Sequence, residues 1–254
     1  DDKVSGFGMA IRDFTSQRLY VEDGLGAGVR VAASPEQASY LRSVMRMADG
    51  ASLLVFNGRD GEWRARLRHE GKRGAVLDIE ALARAQEAGP DLWYVFAPLK
   101  RARLDYMVQK AVELGVSRLV PVLTQHTVAE RINLERMRAN VIEAAEQCGV
   151  LRIPDIAEPA KLEACLTVWP EGRHLVFCDE GADGHDPVAR LASLGPGPMA
   201  VLIGPEGGFS EAERKAIARK PFALSLSLGP RIMRADTAAV AALALVNATL
   251  GDWR

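Results

Sequence analysis

The spacing of apolar positions changes near Ala81, and the change predicts two different architectures. Before that point, apolar residues form short runs separated by glycine-containing turns, a pattern typical of β-strands. One helix interrupts them: Ser34 is placed as its N-cap, Pro35 as its first residue and Gln37 as the closing position of a capping box. This helix is expected to end near Asp49–Gly50. Strands are predicted at Arg18–Val21, Ser52–Phe56, Glu62–Arg68 and Ala75–Ile79.

After Asp91 the pattern alternates between buried-type strands and amphipathic helices, which implies a parallel α/β sheet. The predicted strands are Leu92–Ala97, Arg118–Leu123, Leu175–Asp179, Met199–Ile203 and Ala223–Leu228. The predicted helices are Leu104–Val112, Leu134–Cys148, Glu211–Lys220 and an alanine-rich last helix to about Leu250. The polar stretch between the two patterns indicates a domain boundary. We expect domains over residues 9–85 and 91–254, and interpret residues 1–8 as the remnant of an engineered tag.

Composition narrows the class of protein without naming a function. Hydrophobic residues make up 48% of the chain, charged residues 26%, and the net charge is -1, so nucleic acid would have to be bound through a local basic patch. Three separated cysteines and four scattered histidines favour neither a disulfide framework nor a metal site. The longest small-apolar stretch, Ala238–Val246, is far shorter than the roughly 20 residues of a membrane span. We expect a cytoplasmic protein that uses neither a membrane nor a metal.

A glycine-rich loop, Gly204–Gly208, follows the apolar strand Met199–Ile203 and precedes a helix with a capping box of Ser210 and Glu213. Ligands of open α/β sheets bind beyond the carboxyl ends of the strands, and glycines there expose backbone. A tight turn that needs glycine for geometry alone explains the loop equally well. The loop lacks the spacing of a phosphate loop, and Glu206 would repel phosphates.

A second loop after a strand, Leu228–Arg234, contains two arginines at the start of the last helix. Cations are unfavourable there because the helix dipole is positive at the N-terminus, so we expect Arg231 and Arg234 to have an anionic partner. A carboxylate or phosphate of a ligand would serve. Local pairing with Asp236, combined with an N-cap from Asp236 or Thr237, is the alternative. Two such loops after successive strands favour a functional site.

Together the two loops resemble those of the SPOUT methyltransferases, and within them the RsmE family, which methylates N3 of a uridine in 16S ribosomal RNA of the small subunit. The resemblance covers nearly the whole chain from about Arg12. Three further segments match the family: Tyr40–Arg46, Gln109–Val116 and Glu143–Gln147.

The resemblance implies a C-terminal α/β SPOUT domain with a deep trefoil knot and a small N-terminal PUA-like β-barrel that binds RNA. It also implies a homodimer with active sites near the subunit interface, acting in ribosome biogenesis. The implied cofactor is S-adenosylmethionine (SAM), held largely through backbone groups of both loops. The implied cofactor-binding residues are Ile203, Gly204, Pro205, Glu206, Gly207, Gly208, Leu228, Gly229, Ile232, Met233 and Thr237.

Methyl transfer to uridine N3 requires stabilisation of the base as its proton leaves. We expect Arg231 or Arg234 to stabilise the anionic uracil and Asp236 to orient the arginine. A general base is not assigned, although Glu206 is a candidate.

Two basic segments are candidates for RNA contact. Strict alternation in Trp63–Arg68 places Arg64, Arg66 and Arg68 on one face of a strand, which indicates either a phosphate-binding face or a charged edge strand. Arg42 and Arg46, expected one helical turn apart, would extend that face. Lys100, Arg101 and Arg103 follow the first strand of the second domain and favour a substrate-phosphate clamp, with a solvated helix start as the alternative.

Other functions fit the same chain less well. A SPOUT enzyme acting on transfer RNA differs mainly in the N-terminal part, and a non-catalytic RNA-binding protein is hard to reconcile with two intact loops. A dinucleotide-dependent oxidoreductase lacks its glycine fingerprint here. The last helix is apolar nearly all round, which predicts burial either in a dimer interface or in the core of the chain.

Overall fold

The computed structural model describes residue 13 and residues 15–128, 132–182 and 186–253. The segment interpreted as a tag remnant, residues 1–8, lies outside the described residues. The chain divides into two compact units, Asp1–Glu87 and Ala88–Arg254.

The first unit is a five-stranded mixed sheet with one short helix. The strands are β1 (Arg18–Tyr20), β2 (Arg30–Ala32), β3 (Ser52–Phe56), β4 (Glu62–Glu70) and β5 (Gly74–Arg84), and the helix is α1 (Pro35–Ser39). The strand order is β1-β3-β4-β5-β2, with β1 parallel to β3 and the other pairs antiparallel. Alternation along β4 buries Ala65 and Leu67 in the core of this unit, as the sequence predicts.

The start of α1 is confirmed, but the predicted end of its helix is wrong. Ser34 and Gln37 form the capping box. A π-helical turn over Tyr40–Val44 follows α1, and Arg46 takes a left-handed backbone with φ 52°. The helix ends early because the chain folds back there, with the Met47 N–H donating to the Leu41 carbonyl at 2.9 Å.

The second unit is a parallel α/β sheet. Its strands are β6 (Leu92–Phe96), β7 (Arg118–Leu123), β8 (Asp155–Ile156), β9 (Ala160–Lys161), β10 (His174–Cys178), β11 (Met199–Ile203) and β12 (Ala223–Leu226). Its helices are α2 (Arg101–Glu113), α3 (Leu134–Cys148), α4 (Leu162–Thr167), α5 (Pro187–Ala192), α6 (Glu211–Ala218) and α7 (Ala235–Thr249). The order is β12-β10-β11-β6-β7-β8, with β9 also paired to β7. Each described pairing is parallel, which confirms the predicted class.

Several helix ends follow directly from sequence. Gly115 after α2 and Gly149 after α3 have φ 75° and 72°, the left-handed geometry that glycine allows at a helix C-terminus. The start of α7 differs from prediction: Arg234 is its N-cap, and neither Asp236 nor Thr237 caps the helix with its side chain.

Helix α7 packs one face inside its own unit and leaves the other partly open. Ala239, Ala242, Leu243 and Val246 are buried, and α7 contacts α2, α5 and β11. A second stripe is half-buried or exposed and consists of Thr237, Val240, Ala241, Ala244, Leu245 and Ala248. The intrachain core therefore accounts for about one face of the helix.

Each unit has tryptophan in its core. Trp63 packs against the core of the first unit, and its indole N–H donates to the Asp60 carbonyl at 2.9 Å. In the second unit, Trp93 and Trp169 meet edge to face with ring centroids 6.2 Å apart. The Arg173 guanidinium lies 3.9 Å from the centroid of Trp93.

Candidate functional site

Parallel strands bring three loops to one edge of the second sheet. β11, β10 and β12 are neighbours, so their carboxyl ends, and the segments that follow them, meet there. A cavity of about 160 Å³ opens between the segments after β10 and β12. It is lined by Cys178, Asp179, Glu180, Leu226, Leu228, Gly229, Pro230, Arg231, Ile232, Met233 and Ala238. Five of the predicted site residues, from Leu228 to Met233, therefore lie together.

The carboxylates of Asp179 and Glu180 line this cavity but were missed by the sequence reasoning. Asp179 binds Arg214 of α6 at 2.7 Å and accepts the Gly181 N–H at 3.0 Å. Glu180 is exposed beside Gly208, where an added Cβ would lie 3.3 Å from its Oε1. The available signal was a pair of acids directly after a buried strand. A carboxylate here can accept hydrogen bonds from hydroxyl or ammonium groups.

The first glycine loop is closed by side chains of the protein itself. A Cβ at Gly204 would lie 2.6 Å from the Phe209 ring, and one at Gly207 would lie 3.2 Å from the His126 Cβ. Gly208 has φ +68°, a left-handed conformation. Packing against Phe209 therefore accounts for Gly204 and backbone geometry accounts for Gly208, as the turn-geometry alternative proposes, and cofactor binding by this loop stays a prediction. None of the predicted residues Ile203–Gly208 lines the cavity beside the second loop.

The second loop is open where the first is closed. Gly229 has φ +110°, and an added Cβ would meet nothing within 4 Å. Ile232 is 95% exposed although it is a large apolar residue. An uncovered apolar side chain and bare backbone beside a cavity are the features that the flat, partly apolar body of SAM would cover.

His126 joins the first loop from the end of β7. Its Nδ1 lies 3.2 Å from the Gly207 carbonyl oxygen and 3.1 Å from that of Gly208. Carbonyl oxygens only accept hydrogen bonds, so Nδ1 carries the proton that both share. The sequence reasoning treated this histidine as isolated, because strand order alone brings it to the loop.

Glu213 fixes the other end of the first loop. Its carboxylate accepts hydrogen bonds from the N–H and hydroxyl of Ser210, both at 2.9 Å, and from the Gln125 N–H at 2.8 Å. Burial alone would raise the pKa of Glu213, but these hydrogen bonds and the nearby His126 together lower it. The predicted capping box is thus confirmed, and it also ties α6 to the segment after β7.

Glu206 is paired with a residue predicted to bind RNA. The Arg103 guanidinium lies 3.5 Å from the Glu206 carboxylate, and both side chains are partly exposed. Lys100 and Arg101 are exposed at the start of α2. The Arg103 charge therefore faces the first loop, and Lys100 and Arg101 are the more accessible members of the predicted clamp.

The two loop arginines remain unpaired among the described residues. Arg231 and Arg234 are exposed, and no described carboxylate forms an ion pair with either. The Asp236 carboxylate instead accepts the Thr237 N–H at 2.9 Å. The local Arg–Asp pairing that would explain these cations without a ligand is not formed. Thr237 itself is exposed.

Cys178 contributes a neutral thiol to the cavity. Burial raises the pKa of Cys178 to about 12, so the group stays protonated at neutral pH. No group of three or more described histidine, cysteine, aspartate and glutamate residues could hold a metal ion. Within the described ranges, no helix has the length and apolarity to cross a membrane.

The predicted arginine face in the first unit is largely neutralised. Arg66 binds Glu80 at 2.6 Å and Arg68 binds Asp78 at 3.2 Å, because β5 places acids beside β4. Only Arg64 of the three keeps an exposed side chain with no described partner. Contact of this face with RNA stays a prediction, and Arg64 is its member with no described partner.

The expected spacing of Arg42 and Arg46 by one helical turn is wrong. Arg42 donates to the carbonyls of Gly71 and Gly74 at 3.2 and 3.1 Å, which ties it to the turn between β4 and β5. Arg46 lies beyond the helix, so the two are not one α-helical turn apart. The reason is the π-helical turn described above.

The sequence of this chain matches two family models. Residues 86–247 match an RNA methyltransferase domain, and residues 34–80 match an RNA methyltransferase PUA domain. A Synechocystis protein named "Ribosomal RNA small subunit methyltransferase E" is 30% identical over 260 residues, covering 97% of this chain and 80% of that protein. The Rickettsia conorii protein of the same name is 28% identical, covering 91% and 94%. The chain belongs to this methyltransferase family.

Solved structures give the same result. The Neisseria gonorrhoeae ribosomal RNA small subunit methyltransferase E bound to SAM superposes with a TM-score of 0.84 at 26% identity, covering 94% of this chain and 100% of that one. A Legionella pneumophila protein in complex with SAM gives 0.82 at 29% identity, covering 93% and 99%. The predicted family, the parallel α/β domain and the PUA domain are confirmed.

Proposed function

We propose that this chain transfers a methyl group from SAM to N3 of a uridine in the 16S ribosomal RNA of the small ribosomal subunit. The observation that carries the proposal is the cavity at the carboxyl edge of β10 and β12, lined by the cation Arg231, which has no ion-pair partner among the described residues. SAM in two related structures supports the choice of cofactor. The names of the relatives support the ribosomal substrate over transfer RNA.

SAM would be held by the second loop and the end of β10. When bound, it supplies an electrophilic methyl group on a sulfonium. The backbone of Leu228–Met233 lies where it can donate to and accept from an adenosine, and Ile232 can cover an apolar face. The cavity is smaller than the roughly 300–1,000 Å³ typical of ligand sites. We therefore infer that the loops adjust, or that a second copy completes the site. Ile203–Gly208 and Thr237 stay predicted contacts.

The arginines would act on the base. Uridine N3 carries a proton that has to pass to a base, for which Glu206 is the candidate, before the electron pair left on N3 can attack the methyl carbon. An exposed guanidinium from Arg231 or Arg234 stabilises the resulting negative uracil, worth about 10²–10³ in rate for one well-placed donor. Asp236 is proposed to orient them only after a rearrangement, because its carboxylate now binds the Thr237 N–H. The target base has to leave its stack to enter such a site.

RNA contact is proposed for the exposed cations Lys100, Arg101 and Arg64 and for the PUA unit. Homodimer formation is proposed through the partly open stripe of α7. We also propose that the second unit contains the deep trefoil knot. The proposed location is the cytoplasm, where small ribosomal subunits are assembled and used.

The test is an assay in vitro with radiolabelled SAM and small ribosomal subunits from cells lacking this modification, run beside naked 16S ribosomal RNA. We expect label in RNA, mapped by nuclease digestion and mass spectrometry to one 3-methyluridine. Label on a ribose or a guanine, or on transfer RNA alone, would overturn the assignment.

A further inference from the structure

A groove lined by described residues lies beside the cofactor loops rather than in them. Its volume is about 840 Å³, and it is formed by α4, α6 and the end of β7. Its floor is apolar and is made by Leu123, Leu162, Leu166, Ala212 and Ala216. Leu123 is 39% exposed. The volume falls in the range of roughly 300–1,000 Å³ that suits a small organic group such as a nucleotide.

The rim of this groove carries unpaired positive charge. Lys161, Arg219 and Lys220 line it, and none of the three side chains has a hydrogen-bond or ion-pair partner among the described residues. Of the two carboxylates that line the groove, Glu213 is engaged by Ser210 and Gln125, which leaves Glu163. Three cations against the two carboxylates Glu163 and Glu213 leave the groove with a net positive charge, which complements an anionic ligand.

The groove is joined to the predicted cofactor loop by direct contacts. Gln125 lines the groove, and its N–H binds Glu213 at 2.8 Å. The next residue, His126, binds the carbonyls of Gly207 and Gly208. The Thr124 N–H donates to the Thr127 hydroxyl at 2.8 Å, which fixes the turn between them. A polynucleotide that leaves the active site past the first loop would therefore reach the groove through Gln125 and His126.

We propose that this groove binds a nucleotide that flanks the target base. An unstacked base lies on the leucine and alanine floor, and its phosphates contact Lys161, Arg219 and Lys220. Single-stranded RNA is recognised in this way, with bases splayed onto a surface and the backbone held by cations. The inference rests on the proposed RNA methyl transfer, since it names where that substrate is held.

Two variants test the groove separately from the chemistry. The triple variant Lys161→Ala, Arg219→Ala, Lys220→Ala removes the rim charge, and Ala216→Trp fills the groove from an exposed position on α6. Lys215→Ala is the matched control, because Lys215 is also on α6, pairs with Glu211 and does not line the groove. Calorimetry with S-adenosylhomocysteine should give wild-type affinity for all three, which shows that the cofactor site is intact.

The readout is binding to unmodified small ribosomal subunits and to protein-free 16S ribosomal RNA over a salt series. Three lost phosphate contacts should reduce the slope of log Kd against log salt by about 2 and weaken binding at least about tenfold. The KM for subunits should rise, while kcat at saturation stays near wild type. Ala216→Trp should weaken binding without changing the salt slope.

Wild-type binding and KM in both groove variants would overturn the proposal while leaving the methyltransferase assignment intact. Loss confined to subunits, with normal binding to protein-free RNA, would identify a ribosomal protein as the occupant and also overturn it. If the wild-type protein transfers no methyl group to RNA, the proposed function fails instead.

Discussion

Arg231 and Arg234 are two exposed cations at a helix start that electrostatics disfavours. No described carboxylate neutralises them, so neither arginine stabilises the fold through an ion pair with a described residue. Arginines in this position are therefore candidates for binding a substrate rather than for stabilising the protein.

Replacing Arg234 with alanine should remove transfer and spare cofactor binding. Arg234 lies outside the cavity lining, while Arg231 belongs to it. We expect kcat to fall by about 10²–10³ and the Kd for S-adenosylhomocysteine to change little. Single-turnover kinetics and calorimetry measure the two quantities. Arg234→Lys, which keeps the charge, should restore part of the rate, and equal loss of binding and rate in Arg234→Ala would contradict this division of roles.

His126 should act on the first loop as a hydrogen-bond donor. His126→Ala removes the bonds to the Gly207 and Gly208 carbonyls and frees that peptide to rotate, so the affinity for S-adenosylhomocysteine should fall by about tenfold, the equivalent of one hydrogen bond of about 1.4 kcal/mol. His126→Asn places an amide N–H near Nδ1 and should retain most of the affinity. Equal affinity in wild type and His126→Ala, measured by calorimetry, would refute a positioning role.

Sequence reasoning found the loop arginines but not His126, Asp179 or Glu180. The arginines stand beside glycines in a recognisable segment. His126 is 81 positions from Gly207 and meets it only because of how the parallel strands are ordered. Asp179 is the last residue of the predicted strand Leu175–Asp179 and Glu180 follows it, so their placement at the carboxyl edge could have been predicted.

At the scale of elements, hydrophobic period placed most of the strands and long helices well. The salt bridges on the arginine face of β4 show a feature that the hydrophobic period did not predict. Prediction ended β5 at Ile79, which left Glu80 out of the sheet. Antiparallel pairing sets Arg66 opposite Asp78, and a strand extended to Arg84 would have shown both acids on the arginine side. Strands of two residues, such as β8 and β9, are too short to show a hydrophobic period and could not be predicted from one.

The glycine at the end of β11 should be required for stability. Gly204→Ala pushes a Cβ against the Phe209 ring, which packs edge to face on buried Phe177 with centroids 5.2 Å apart. Overpacking of this kind costs about 1–3 kcal/mol. Thermal unfolding measures it as a lower Tm.

A double-mutant cycle with Phe209→Leu distinguishes this clash from a general effect. Leucine lacks the ring atoms that the new Cβ would meet, so the effects of the two substitutions on stability should be non-additive. Additive losses in the free energy of unfolding would show that the Phe209 ring is not the reason that Gly204 is required.

At the scale of the whole molecule, the open stripe of α7 predicts self-association. Leu245→Glu places a charge in the centre of this small-residue stripe, and sedimentation velocity at micromolar concentration should show a monomer. Ala218→Glu on exposed α6 adds the same charge elsewhere and should leave the dimer intact. A monomeric wild type would remove the dimer from the proposal.

The placement of the tryptophans gives each unit its own optical signal. Trp63 reports on the core of the first unit, whereas Trp93, Trp169 and the exposed Trp253 belong to the second. Replacing Trp63 with phenylalanine leaves indole emission that is dominated by the methyltransferase unit. Comparing the fluorescence of the wild type with that of Trp63→Phe during unfolding therefore separates the signals of the two units. A ligand can then be assigned to the unit whose unfolding it shifts.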